Sequence, residues 1–229
     1  MRVTDDDGVP RDYDRIAESY ARELSRELTG KPLDRALLRY LVDEADGRGV
    51  IGDLGCGPGH VTRYLADMGA DVVGVDLSPE MIRVASAAHP ELRFEVGDLR
   101  RLPLPDASLA AAIAFCSLIH FDRDEDLRVA CREIARVLAP GGEVIVAYHR
   151  GDRVVHPGEL WGTPVDLGFR FLPDRTVTAA LTDAGLEVKA RIHREPYPGV
   201  EHPSRRTYQI AARGGTSSAR RLSMQGGCE

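Results

Sequence analysis

Three glycines on alternate positions, Gly55, Gly57 and Gly59, form the first arrangement in this sequence that could do chemistry. Glycine has no Cβ, so the backbone can turn sharply there and approach a ligand closely. The amides at the start of the helix expected from about Gly59 favour a bound anion. Asp53 and Asp76 add carboxylates at the ends of two successive apolar runs. Because a carboxylate accepts hydrogen bonds from both vicinal hydroxyls of a ribose, the pattern predicts a ribose-containing ligand at Asp76.

The spacing of the glycines disfavours a dinucleotide. Nicotinamide-dependent oxidoreductases typically have G-x-G-x-x-G/A, whereas this turn is G-C-G-P-G-H, with the third glycine one position early and His60 next. No lysine or arginine lies between the glycines to neutralise a phosphate. Asp53 suits a ligand head that carries a cationic group. S-adenosylmethionine (SAM) combines an ammonium, a carboxylate, a sulfonium and a ribose, and it is the cofactor that we favour.

Alternating apolar runs and helical patterns predict the elements that position these residues. Strand-like runs lie at about 50–54, 72–76, 92–96, 110–116, 143–148, 186–193 and 206–212. Helical patterns lie at about 12–28, from Pro32 to near Gly47, and at about 59–68, 79–88, 124–138 and 174–184. Apolar runs that alternate with helices indicate a parallel sheet covered on both faces. Residues 150–173 are rich in glycine, proline and aromatic residues, and we expect a long surface excursion there.

Composition limits the possible partners and location of the protein. The 229 residues suffice for one α/β domain, and the net charge of −6 argues against nucleic-acid binding. No apolar run is long enough to cross a membrane, and the acidic N-terminus does not resemble a signal peptide, so we expect a cytoplasmic protein with a small-molecule partner. The cysteines show no metal-ligand spacing and are predicted to be reduced thiols; they are Cys56, Cys116, Cys131 and Cys228.

Four motifs in register resemble one known family. The segments DLGCGPGH, GVDLSPEMI, GDLRRLPLPDASL and REIARVLAPGG, within residues 50–150, are similar to those of class I SAM-dependent methyltransferases, in particular bacterial small-molecule enzymes of the methyltransferase domain 11/25 kind. The N-terminal YDRIAESYA resembles the helix that caps the cofactor in bacterial members. The resemblance implies an α/β fold: a Rossmann-like, seven-stranded, mostly parallel sheet with helices on both faces, an antiparallel last strand and an N-terminal helical cap. It divides the chain into a cap (1–48), a SAM-binding domain (49–213) and a tail (214–229) that we expect to be disordered.

The resemblance also assigns roles to residues. Asp53, Gly55, Cys56 and Gly57 are expected around the methionine end of the cofactor, and Asp76 at the ribose. The remaining expected cofactor contacts lie at the adenine, on the cap helix and after the fourth strand; they are Leu77, Met81, Asp98, Leu99, Tyr13, Tyr20 and Cys116. Family members often carry an acidic residue near the start of the fourth strand, where this chain has Ala110.

Methyl transfer to a protonated oxygen or nitrogen needs a base, and histidine is suited to that role. His120, directly after the fourth strand, is the predicted base, and His149 after the fifth strand is the second candidate. The expected acceptor pocket is formed by Trp161, Phe169, Phe171, His202 and Arg205. We expect no metal, and either a monomer or a homodimer. The predicted function is methylation of a small molecule. The alternatives are a methyltransferase-like protein that catalyses a cyclisation or rearrangement, and a ligand-binding module.

Overall fold

A computed structural model of the protein describes residues 8–215. It contains eleven strands in chain order, and the first five and last two form the main sheet. The strands are β1 (Val50–Leu54), β2 (Val72–Asp76), β3 (Arg93–Val96), β4 (Leu109–Phe115), β5 (Leu138–His149), β6 (Arg153–Val155), β7 (Glu159–Leu160), β8 (Thr163–Pro164), β9 (Phe169–Phe171), β10 (Leu186–Arg194) and β11 (Arg206–Arg213).

The seven-stranded sheet has the order β3-β2-β1-β4-β5-β11-β10. The strands from β3 to β5 are parallel, and β11 is antiparallel to both of its neighbours, β5 and β10. The predicted antiparallel last strand is therefore confirmed. The order of the chain reverses between β1 and β4, and the carboxyl ends of these strands open the crevice in which α/β proteins bind ligands.

Six α-helices connect and cover the strands. They are α1 (Gly8–Leu24), α2 (Pro32–Ala45), α3 (His60–Asp67), α4 (Pro79–Ala88), α5 (Asp124–Val137) and α6 (Asp174–Asp183). The start of α4 follows from its sequence, because the Ser78 hydroxyl accepts a hydrogen bond from the Met81 N–H at 3.1 Å and Pro79 occupies the first turn. Short 3-10 turns occupy Glu27–Gly30 and Leu118–His120.

The helices bury apolar side chains on both faces of the sheet, as predicted. Leu38 and Leu41 of α2 pack with Leu65 of α3 against one face. Ile134 of α5 and Leu181 of α6 belong to the cluster on the other face. The helix α2, which lies within the predicted cap (1–48), packs against the sheet.

The segment 150–173 is more than a surface excursion, which corrects the prediction. It contains β6 to β9, and its side chains Val165 and Leu167 are buried with Ile16 and Ala17 of α1 and Met81 of α4. This segment has no helical or strand periodicity that would reveal its packing. Its burial depends on the cap helix, which lies more than a hundred residues earlier in the chain.

Three further predictions concern chain ends, thiols and membranes. Residues 216–229 of the predicted tail, with Cys228, lie outside the described residues. Cys56, Cys116 and Cys131 are free thiols. Among the helices within residues 8–215, none has the length and apolar character needed to span a bilayer.

Candidate active site at the carboxyl ends of the parallel strands

The glycine turn lies between β1 and α3. Glycine is favoured at two of its positions, Gly55 and Gly57, for different structural reasons. Gly55 has φ 82°, and a Cβ on it would lie 2.3 Å from the Cβ of Ser117. Gly57 has φ 53°, and only Tyr20 Cε1, at 3.8 Å, would lie within 4 Å of an added Cβ. Gly55 therefore allows close packing against the loop after β4, whereas Gly57 faces open space beneath the ring of Tyr20.

Asp76 joins the end of β2 to the glycine turn. Its Oδ2 accepts a hydrogen bond from the Gly57 N–H at 2.8 Å, and its Oδ1 accepts one from the Ser78 N–H at 2.9 Å. Burial raises the pKa of this carboxyl, and the two backbone N–H groups oppose that effect. Each carboxylate oxygen has two lone pairs, so each can still accept a hydrogen bond from a ligand hydroxyl.

Asp53, at the centre of the sheet, is a second buried carboxylate. It is 2% exposed, and its Oδ2 accepts a hydrogen bond from the Thr62 hydroxyl at 2.6 Å. Burial raises the pKa of Asp53 to about 6, although the Thr62 hydrogen bond lowers it. A buried carboxylate of this kind is stabilised in its charged form by a nearby cation.

Aromatic rings from α1 and from the 150–173 segment cover the glycine turn. The rings of Tyr13 and Tyr20 meet edge to face with centroids 6.0 Å apart, and Tyr20 meets Trp161 in the same way at 5.5 Å. His120 lies 5.3 Å from the ring of Tyr13 and 5.4 Å from that of Phe169. Five residues predicted separately as cofactor, base and substrate contacts thus form one aromatic cluster.

His120 is neutral within this cluster. Its Nε2 lies 2.9 Å from the Tyr13 hydroxyl, its Nδ1 is buried, and the ring lies beside the backbone of Gly168. Burial lowers the pKa of His120 to about 4. Burial, followed by the charge of Asp76, raises the pKa of Tyr13, so the tyrosine remains a phenol.

Cys116 lies near both the aromatic cluster and a polar cluster that includes Glu27, Lys31 and Asp34. Its backbone has φ 56°, and its N–H donates to the Ala147 carbonyl at 2.8 Å, two residues before the end of β5. Burial raises the pKa of its thiol, which makes it a neutral group. The thiol is close enough to Tyr13 on one side and to Arg206 on the other to interact electrostatically with both.

Sequence reasoning missed the polar cluster, which contains both signs of charge. Glu27 accepts hydrogen bonds from Lys31 at 2.5 Å and is 2.9 Å from His60 Nε2. Burial would raise the pKa of Glu27, but the bonds to His60 and Lys31 lower it to about 2. Deeper in the cluster, Arg194 pairs with Glu201 and, at 3.2 Å, with Asp34. Glu27 and Lys31 are four residues apart, but the other residues lie on separate elements that no spacing in the sequence connects.

The expected adenine contacts differ in how far they are exposed to solvent. Leu77 is 36% exposed and is therefore accessible to a ligand, whereas Met81 is 1% exposed and packs under α1. Leu99 is buried in the core on one face of the sheet. Asp98 forms an ion pair with Arg100 at 2.6 Å and also accepts its backbone N–H at 2.7 Å.

Two of the five expected acceptor residues contact His149, whereas Trp161 and Phe169 belong to the aromatic cluster. Phe171 stacks on His149 with centroids 4.9 Å apart, and His202 meets the same ring edge to face at 5.7 Å. Arg205 does not join them, because its exposed guanidinium pairs with Glu195 at 2.9 Å. The neighbouring Arg206, the first residue of β11, takes the inward position and is 6% exposed. Within residues 8–215, no group of three histidine, cysteine or acidic side chains has the arrangement of a metal site.

A crevice at the reversal of strand order, a glycine turn and a carboxylate at the end of the second strand define an α/β protein that binds a nucleoside cofactor. Residues 52–146 match the methyltransferase domain family. A malonyl-(acyl-carrier protein) O-methyltransferase from Erwinia billingiae is 31% identical over 182 residues, which are 76% of this chain and 66% of that protein. This chain therefore belongs to the class I SAM-dependent methyltransferases, the family that its motifs resemble. It spans 36 to 66% of the length of the first curated relatives that it matches.

Solved structures share the fold. A SAM-dependent methyltransferase from Methanosarcina mazei has a TM-score of 0.65 at 19% identity, over 72% of this chain and 92% of that one. The (4+2)-cyclase SpnF has a TM-score of 0.68 at 20% identity, over 90% of this chain and 95% of that one. At these identities the likeness concerns architecture alone.

Proposed function

We propose that this protein transfers a methyl group from SAM to an oxygen or nitrogen atom of a small molecule. The observation that carries the proposal is the joint geometry of the glycine turn and Asp76, next to an aromatic cluster that contains a neutral histidine. The family supports the cofactor, and several curated relatives are named as O-methyltransferases. The acceptor atom is inferred from the residues at the site.

The residues at the turn fit this cofactor. The space over Gly57 is open apart from Tyr20, and Asp76 has free lone pairs for the ribose hydroxyls. Asp53 would favour the ammonium of the methionine end, because a cation offsets the cost of its buried charge. Tyr13 and Tyr20 would exclude water from the same space. When bound, SAM supplies a methyl group activated by a sulfonium, and the electrons of the breaking carbon–sulfur bond stay with sulfur.

The role of the protein in transfer is alignment and proton removal. A protonated acceptor gives its proton to a base as the new bond to carbon forms, and His120 is the proposed base. Burial keeps this imidazole unprotonated at neutral pH, which makes it available to accept a proton. Its lowered pKa also makes it a weak base, so it is best matched to acceptors with acidic protons, such as phenols. A carboxylate acceptor would need no base.

The test is the release of S-adenosylhomocysteine (SAH). Purified protein is incubated with SAM and a panel of phenols, amines and carboxylic acids, and SAH is measured together with the mass of each product. SAH formed in step with a singly methylated product supports the proposal. A rearranged product without SAH would instead indicate the cyclase alternative. The variant Asp76→Ala, which lacks the proposed ribose contact, controls for background hydrolysis of the cofactor.

A further inference from the structure

The contact between Arg206 and His149 determines where the proton lies on this imidazole. Arg206 Nη1 is 2.6 Å from His149 Nδ1, and an arginine N–H can only donate. Nδ1 must therefore present its lone pair, and the single hydrogen of the neutral ring lies on Nε2. The Ser204 hydroxyl lies 2.6 Å from the same nitrogen and accepts from Arg206 Nη1 at 2.5 Å. A hydrogen from Ser204 would share the single Nδ1 lone pair with Arg206, and either donor leaves Nδ1 as the acceptor.

Several interactions hold this arrangement rigidly. His149 and Arg206 are directly paired in the antiparallel register of β5 and β11, and Arg206 is 6% exposed. The other terminal nitrogen of Arg206 is 3.4 Å from Glu201, which fixes the guanidinium. Burial, followed by the charge of Arg206, lowers the pKa of His149 to about 2. With Nδ1 bound to Arg206 and the pKa lowered, His149 is poorly suited to act as the base, the role for which its sequence position made it the second candidate.

The donor nitrogen of His149 has no partner in the described chain. Each hydrogen bond to the ring involves Nδ1. Nε2 of His149 is not one of the fully buried nitrogens without a hydrogen bond within residues 8–215. The ring stacks on Phe171 and contacts His202, both of which were predicted to line the acceptor pocket. His120 is close enough to affect its protonation. An unused N–H group thus lies near the proposed base.

We propose that His149 is a fixed hydrogen-bond donor that positions the methyl acceptor through its Nε2–H. Its partner is an oxygen lone pair of the acceptor, on a carbonyl or carboxylate group. The inference rests on the proposed function, since it concerns the acceptor of that reaction. The two histidines then have different roles. His120 accepts a proton, whereas His149 only orients the acceptor molecule that loses it.

Two variants of His149 test the role in positioning. In His149→Gln, the amide can still donate from a similar position, whereas His149→Phe keeps the stacking and removes the donor. With the acceptor that gives the most SAH, the Phe variant should raise KM about tenfold, the effect of one lost hydrogen bond, and the Gln variant should stay within about threefold of wild type. Both should keep the wild-type pH profile of kcat. A Gln variant as impaired as the Phe variant, or a changed pH profile, would overturn the proposal.

A spectroscopic measurement tests the tautomer without any acceptor. Protein labelled with ¹⁵N-histidine and saturated with SAH is studied by long-range ¹H–¹⁵N correlation, and the spectrum of His149→Phe identifies the signals. The expected result is hydrogen on Nε2 alone from pH 5 to 8. Hydrogen on Nδ1, or a titration near pH 6.5, would overturn the proposal. If no acceptor in the panel is methylated, the proposed function fails, and this measurement still decides the state of His149.

Discussion

The buried carboxylate of Asp53 should make cofactor binding depend on pH. Burial raises its pKa to about 6 in the free protein, from 3.8. If the ammonium of the bound cofactor restores the ordinary pKa of Asp53, cofactor binding requires the ionised Asp53 carboxylate. Asp53 is about 90% ionised at pH 7 and about 10% at pH 5, so the affinity for SAH should fall about tenfold over this range. The sign follows from the raised pKa: the contribution is nearly complete at pH 7, is half lost at about pH 6 and falls further as the pH decreases.

Calorimetric titration with SAH at pH 5, 6 and 7 measures this effect. SAH is suitable because its own ammonium and carboxylate keep their charges through this range. The variant Asp53→Asn retains the shape of the side chain and should bind with an affinity that changes little with pH. Asp71→Asn is the matched control, since Asp71 is an exposed aspartate in an ion pair with Arg93, and it should behave as wild type. Equal affinities of the wild type at pH 5 and 7, or a wild-type slope in Asp53→Asn, would refute the reasoning.

Three further substitutions give expected outcomes. Asp76→Ala should weaken SAH binding by about 2 kcal/mol, or roughly 30-fold, because ribose contacts to a charged group are lost, whereas Asp71→Ala should not; calorimetry compares them. Gly55→Ala should lower the free energy of unfolding in urea by more than Gly69→Ala: both glycines have positive φ, but only the Cβ at position 55 meets another side chain. Equal losses would contradict that packing argument. His120→Ala should reduce kcat for a phenol acceptor about 10²-fold, measured by SAH release, and an unchanged kcat would exclude it as the base.

Local signals explain which parts of the fold were predictable. The strands β1 and β2 and the helix α4 have the predicted bounds, because glycines, Ser78 and Pro79 mark their ends. The strand β5 begins at Leu138, earlier than predicted, since Pro140 and the two following glycines indicated a turn. The burial of Val165 and Leu167 was missed because it depends on α1, and no local period records that contact.

The same distinction applies to the candidate site. Asp76 and the glycine turn were predictable because strand ends and a glycine pattern place them together within one βαβ unit. The pairing of His149 with Arg206 was not, since it arises from the register of β5 against β11, 57 residues apart along the chain. Arg205 and Arg206 are adjacent in the sequence, but only Arg206 lies in β11, where it pairs with His149.

The central claim is that the glycine turn and Asp76 hold a nucleoside cofactor with its ribose at that carboxylate. A crystal structure of the protein with SAH tests it most directly. The expected result is both ribose hydroxyls within hydrogen-bonding distance of the Asp76 carboxylate, with the amino acid end of SAH against Gly57. SAH bound elsewhere, or a ribose with no contact to Asp76, would contradict the account.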